Sequence, residues 1–117
     1  MRAAKEVQQH LETNPSDGPG WMQLALYQVK SGSPQAVLSL IQKAELLGAA
    51  DMDSQLTKVR ILENLGQREK ALATLAVCFQ KGATQFQIAQ TPDLQTLQED
   101  TRYQKTLEKS QRQHVSQ

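Results

Sequence analysis

His10, His114 and Cys78 are the side chains of this 117-residue chain most suited to nucleophilic or general-base chemistry. A catalytic thiol needs a nearby base and a feature that lowers its pKa. Cys78 falls instead in a periodic apolar stripe, where a small buried hydrophobe is the expected role. His10 stands at the matching place of an earlier stripe, so packing is expected there too, while His114 lies in a polar stretch. Two carboxylate pairs, Asp51/Asp53 and Glu99/Asp100, have the chemistry for a metal or an acid–base role. Both precede expected helices, where capping and the helix dipole account for them. With a single cysteine, no disulfide within the chain forms, and a zinc site would need several His or carboxylate partners. Neither G-x-G-x-x-G nor G-x-x-x-x-G-K followed by Ser or Thr occurs. The expectation is a chain without enzyme activity, cofactor or metal.

The elements that carry these residues are helical by composition. Aromatic residues make up 4% of the chain, β-branched residues are few, and Ala, Leu, Gln, Glu and Lys dominate. Such side chains lose little freedom on a helix, so the fold class is all-α. Thirteen Lys and Arg face twelve Asp and Glu, interspersed, for a net charge of +1. That balance gives no field for nucleic acid or anionic lipid, and no basic stripe with interleaved aromatics is present. No apolar run approaches the roughly 18 residues of a membrane span. The N-terminus lacks the apolar segment of a signal peptide, so a cytoplasmic location is the default expectation.

Turn chemistry divides the chain. Residues 2–13 read as a helix with Ala3, Val7, His10 and Leu11 on one stripe, broken by Asn14-Pro15-Ser16-Asp17-Gly18. A second helix is expected over 19–31, with Trp21, Leu24, Ala25 and Gln28 inward, ended by Gly32. Ser33 as cap and Pro34 at the first helical position open a third, which carries Val37, Leu38, Ile41, Ala44 and Leu47 to Gly48. Asp51 or Asp53 caps a fourth with Leu56, Val59, Leu62 and Leu65, stopped at Gly66. The fifth, over 67–81, carries Ala71, Leu72, Leu75, Cys78 and Phe79 and ends at Gly82. A short helix with Phe86 and Ile88 follows. Thr91-Pro92-Asp93 offers a further cap, and Asp100 or Thr101 another, for a helix with Tyr103 and Leu107. Residues 110–117 are polar and expected to fray.

Small and apolar positions recur at an offset of 34 residues. Gly32 maps onto Gly66, Val37 onto Ala71, Ile41 onto Leu75 and Ala44 onto Cys78; backwards, Ala3 maps onto Val37 and Val7 onto Ile41. A fixed period of this size is the mark of stacked helical hairpins. Trp21-x2-Leu24-Ala25, Val37-x3-Ile41, Ala71-x3-Leu75 and Ala3-x3-Val7 with Pro15 resemble the tetratricopeptide repeat, a 34-residue helix-turn-helix unit. Tyr27 falls one place before the family's Tyr, and Ala49 and Ala83 stand where the family has Pro. Ala25 opposite Val37 in one hairpin, and Val59 opposite Ala71 in the next, exchange small and large at the same contact. Thr91-Pro92-Asp93-Leu94, Leu97, Asp100, Tyr103 and Leu107 are similar to a closing segment found after the last repeat in bacterial signalling proteins.

The resemblance implies stacked antiparallel hairpins in a right-handed α-solenoid of six to eight helices. Residues 1–109 would form one domain: half a repeat over 2–13, repeats over 19–48 and 52–82, and capping helices over 84–109, where Leu94, Leu97, Tyr103 and Leu107 cover the last hairpin. Residues 110–117 are a polar tail. It also implies a protein or peptide partner on the concave face, lined by Met22, Leu26, Lys30, Leu56, Arg60 and Asn64, with Lys30 and Arg60 meeting acidic groups. The family's clamp for a C-terminal carboxylate is not reproduced, since Gln23, Leu26 and Thr57 occupy its neighbourhood. The bare side of the half repeat gives the expectation of a longer parent chain or of self-association through residues 2–13. Two other readings stay open: an assembly unit acting through that N-terminal helix, and a helical ligand-binding or enzyme domain whose period is coincidental.

Overall fold

In a computed structural model, residues 2–32 and 34–115 are described, with side chains for 8–32 and 35–110, and every element among them is helical. In chain order these are α1 (Arg2–Thr13), α2 (Gly18–Lys30), α3 (Val37–Leu46), α4 (Met52–Asn64), α5 (Arg68–Gln80), α6 (Gln85–Ala89), α7 (Gln95–Gln98) and α8 (Thr101–Val115). Single 3-10 turns, Pro34–Ala36 and Pro92–Leu94, precede α3 and α7. The packing pairs are α1 with α2, α2 with α3, α2 with α4, α4 with α5, and α5 with α8. The expected cap Ser33, and the side chains of Ala3 and Val7, lie outside the described residues.

The helix ends obey the 34-residue offset in their bonding. Asp17 caps α2 by accepting from the Gly20 N–H at 3.1 Å, and Asp51 caps α4 by accepting from the Ser54 N–H at 3.2 Å. At the other ends, the Ala49 N–H donates to the Ala44 carbonyl at 3.0 Å and the Ala83 N–H to the Cys78 carbonyl at 2.9 Å. Each bond follows a glycine at positive φ, Gly48 or Gly82, and together they form the same helix-closing motif. Proline has no N–H to donate. Alanine at 49 and 83 therefore makes a bond that the proline of the repeat pattern would forfeit.

One equivalence crosses residue types. The Trp21 indole N–H donates to the Pro15 carbonyl at 2.9 Å, and the Gln55 amide donates to the Ala49 carbonyl at 3.0 Å. Donor and acceptor each shift by 34 positions, so a glutamine here does the tryptophan's polar work.

Two apolar clusters make the interior. Met22, Ala25, Leu26, Val37, Ile41, Ala44, Ala49 and Ile61 form the first. The second runs from Val59, Leu62, Ala71, Leu75, Cys78 and Phe79 to Ile88, Leu94, Leu97, Tyr103 and Leu107. Ala25 with Val37, and Val59 with Ala71, lie fully buried in their respective clusters. The four expected covering residues are all in the second cluster, where the Tyr103 ring meets Phe79 edge-on at 6.3 Å between centroids.

Four expectations are corrected. Leu38 and Leu47 are exposed: α3 presents Val37, Ile41 and Ala44 to its neighbours and turns Leu38 outward, and Leu47 lies just past its last turn. His10 is exposed and bonded to Asp17 at 2.8 Å, unlike its buried counterparts Ala44 and Cys78, because the α2 cap offers it a polar partner at the surface. The expected tail is helical as far as Val115, with Ser110 buried; no Gly or Pro interrupts residues 110–115, where Gln and Arg favour the helix. Gly18 is not a free turn: it begins α2, and a Cβ there would come within 2.8 Å of the Ala44 and Leu47 carbonyl oxygens. Its smallness lets α2 approach the end of α3.

Candidate functional site

The six residues expected to line a binding face divide by burial. Met22 and Leu26 are 0% and 2% exposed, so they are corrected from surface anchors to core: α2 turns them toward Val37, Ile41 and Ile61. Leu56 is half-buried and packs against the second cluster. Lys30, at the end of α2, and Arg60, in the middle of α4, keep 38% and 30% of their side chains exposed. Asn64 is exposed and donates its amide to the Arg60 carbonyl at 2.8 Å, one turn back on α4.

Lys30 and Arg60 converge. Lys30 Nζ lies 3.0 Å, and Arg60 Nε 2.8 Å, from the same atom, Asp93 Oδ2. The 3-10 turn Pro92–Leu94 packs on α4 and carries that carboxylate to them. Asp93 is thus not a helix cap, and Thr91 makes no side-chain cap either; its hydroxyl donates to the Gln87 carbonyl at 2.9 Å. Burial works against the charge on Asp93, and the hydrogen bonds from Lys30 and Arg60 outweigh it, holding its pKa below the ordinary carboxylate value. The sequence assigned Asp93 to the wrong partner because Thr-Pro-Asp reads locally as a cap. A contact between residues 60 and 93 follows no helical spacing.

A second charged cluster joins α4, α5 and α8. Arg68 bonds Glu63 through Nη2 at 2.8 Å and Nε at 3.2 Å, and reaches Asp100 through Nη1 at 3.4 Å. Arg102 grips Asp100 through Nη2 at 2.9 Å and Nε at 3.1 Å, while its backbone N–H, at 2.9 Å from Asp100 Oδ1, makes Asp100 the cap of α8. Those Arg102 bonds, with help from Arg68, hold the Asp100 pKa far below the ordinary range. Asp51 is likewise held low, first by the Ser54 hydroxyl at 2.6 Å. One member of each carboxylate pair, Asp51 and Asp100, is thus a helix cap. No group of three or more His, Cys, Asp or Glu with metal-binding placement exists among the described residues. Cys78 is buried, and desolvation pushes its thiol up to about 11, so it is protonated at neutral pH.

A third feature is an open groove of about 520 Å³ between α1, α2 and α3, lined by Leu11, Pro15, Trp21 and Leu24 together with Gln8, Glu12 and Lys43. Lys43 Nζ sits 3.9 Å from the Trp21 ring centroid, a cation–π contact. No described helix is long and apolar enough to cross a membrane. No protein-family model, curated protein or solved structure matches the chain.

Proposed function

We propose that this chain is a non-enzymatic protein-interaction module of tetratricopeptide type, a right-handed stack of antiparallel hairpins acting within a larger regulatory protein. Its α2/α4 face binds an extended peptide or a partner helix. The observation that carries the reading is the convergence of Lys30 and Arg60, from two successive hairpins, on one carboxylate. A surface built jointly by equivalent helices is how stacked repeats present a binding face. The equivalent bonds of Trp21 and Gln55, and of Asp17 and Asp51, support the repeat assignment.

The test is selection from a random peptide library on the immobilised chain, repeated with the Lys30→Ala/Arg60→Ala double variant. One enriched peptide family is expected on the wild type. Failure to enrich any family over repeated selections removes the interaction reading.

The groove over Trp21 favours a second reading, assembly with another copy of the chain through α1. A lining of apolar residues with one acidic and one basic side chain, Glu12 and Lys43, suits a helix from a like chain. Sedimentation velocity over a wide concentration range decides it: a monomer throughout excludes the assembly.

A further inference from the structure

We propose that Lys30 and Arg60 form a recognition site for a carboxylate side chain of an acidic partner peptide, and that Asp93 is its built-in competitor. This rests on the α2/α4 face being the interaction face, and it assigns the partner's chemistry and the device that sets its affinity.

The charge is unbalanced. Two cations face one carboxylate, and both engage the same oxygen, so the site keeps a positive charge after Asp93 has been satisfied. Arg60 uses only Nε, and its terminal amino groups make no hydrogen bond to another described residue. A guanidinium is suited to two parallel bonds with a carboxylate, and here that capacity is unused. The other charged cluster makes the contrast. There Arg68 and Arg102 face Glu63 and Asp100, so the charges balance, and both guanidinium groups already bond carboxylates through two or more nitrogens.

Asp93 can leave without unfolding its segment. Leu94 and Leu97, the apolar neighbours that follow it, are fully buried in the second cluster and hold the backbone in place. Rotation or removal of the Asp93 side chain therefore opens a space of side-chain size beside two partly exposed cations. An incoming Asp or Glu takes over the same bonds. Wild-type affinity is low because every binding event first displaces an internal ion pair.

The probe is a blocked, fluorescent synthetic peptide with the sequence of residues 89–98 of this chain, which contains one acidic residue, and a control peptide with Asn in its place. Fluorescence anisotropy should show weak binding to the wild-type chain and roughly tenfold tighter binding to Asp93→Asn, a gain of about 1.4 kcal/mol. Arg60→Ala should cancel that gain, and the control peptide should not bind. An Asp93→Asn chain that is folded by circular dichroism and gains nothing overturns the proposal, as does a gain that survives Arg60→Ala. Independently of that variant, the weak wild-type binding should vanish on Arg60→Ala, and binding that persists overturns it as well. Library peptides that bind with Lys30 and Arg60 both removed would refute this site while leaving the interaction reading intact.

Discussion

Arg60 and Asp93 are 33 residues apart in sequence and 2.8 Å apart in space. Their bond ties α4 to the closing segment, and Lys30 extends the tie to the preceding hairpin. One carboxylate thus links three parts of the chain that share no local contact in sequence.

That arrangement makes stability depend on acid. The folded-state pKa of Asp93 lies below that of the unfolded chain. The stabilisation is therefore fully present above the unfolded value, near 3.9, and is lost as pH falls through the folded value. Asp51 and Asp100 shift in the same direction and add to the effect. Thermal unfolding followed by circular dichroism should give a Tm that is flat from neutral pH down to about 5 and falls below about 4. Asp93→Asn should start from a lower Tm and lose less on acidification. Equal acid sensitivity in both chains would show that Asp93 is not ionised against Lys30 and Arg60.

Gln55 carries a testable part of the repeat argument. Its amide satisfies the buried Ala49 carbonyl at 3.0 Å and also reaches Glu45 at 3.1 Å. Gln55→Leu keeps the volume and strands that carbonyl, so urea unfolding should show a loss of about 1–3 kcal/mol. A neutral result would mean that the bond shared in register with Trp21 contributes nothing to closing the junction.

Much of the fold was legible because its determinants are local. Apolar spacing gave the helices α1 to α5, and Asp51 and Asp100 could be read as caps from their positions just before α4 and α8. Leu94, Leu97, Tyr103 and Leu107 were readable as a cover because an amphipathic end segment has to bury its stripe. The site was less legible. The repeat resemblance implied a face of Met22, Leu26, Lys30, Leu56, Arg60 and Asn64 on one pair of helices, yet a two-helix face has an inner and an outer edge. Packing with α3 put Met22 and Leu26 on the inner one. Asp93 was hidden because ion pairing between distant segments leaves no pattern in the chain.

Gly18 shows the same limit at a single residue. As part of a turn signal it suggests conformational freedom, but the structure uses its missing side chain. Helix propensity favours alanine there by up to about 1 kcal/mol. The added Cβ, however, would press on two backbone carbonyl oxygens, which cannot rotate away as a side chain could. Overpacking of this kind costs about 1–3 kcal/mol, so Gly18→Ala should lower the urea midpoint. A higher midpoint would mean that α2 and α3 can separate freely at this point.

The most direct test of the carboxylate-reading face is an amide NMR titration of the wild-type chain with the peptide of residues 89–98. The largest shift changes should fall at Lys30, Arg60, Asn64 and Asp93. Changes confined to Leu11, Trp21, Leu24 and Lys43 would contradict it and place binding in the groove between α1 and α3 instead.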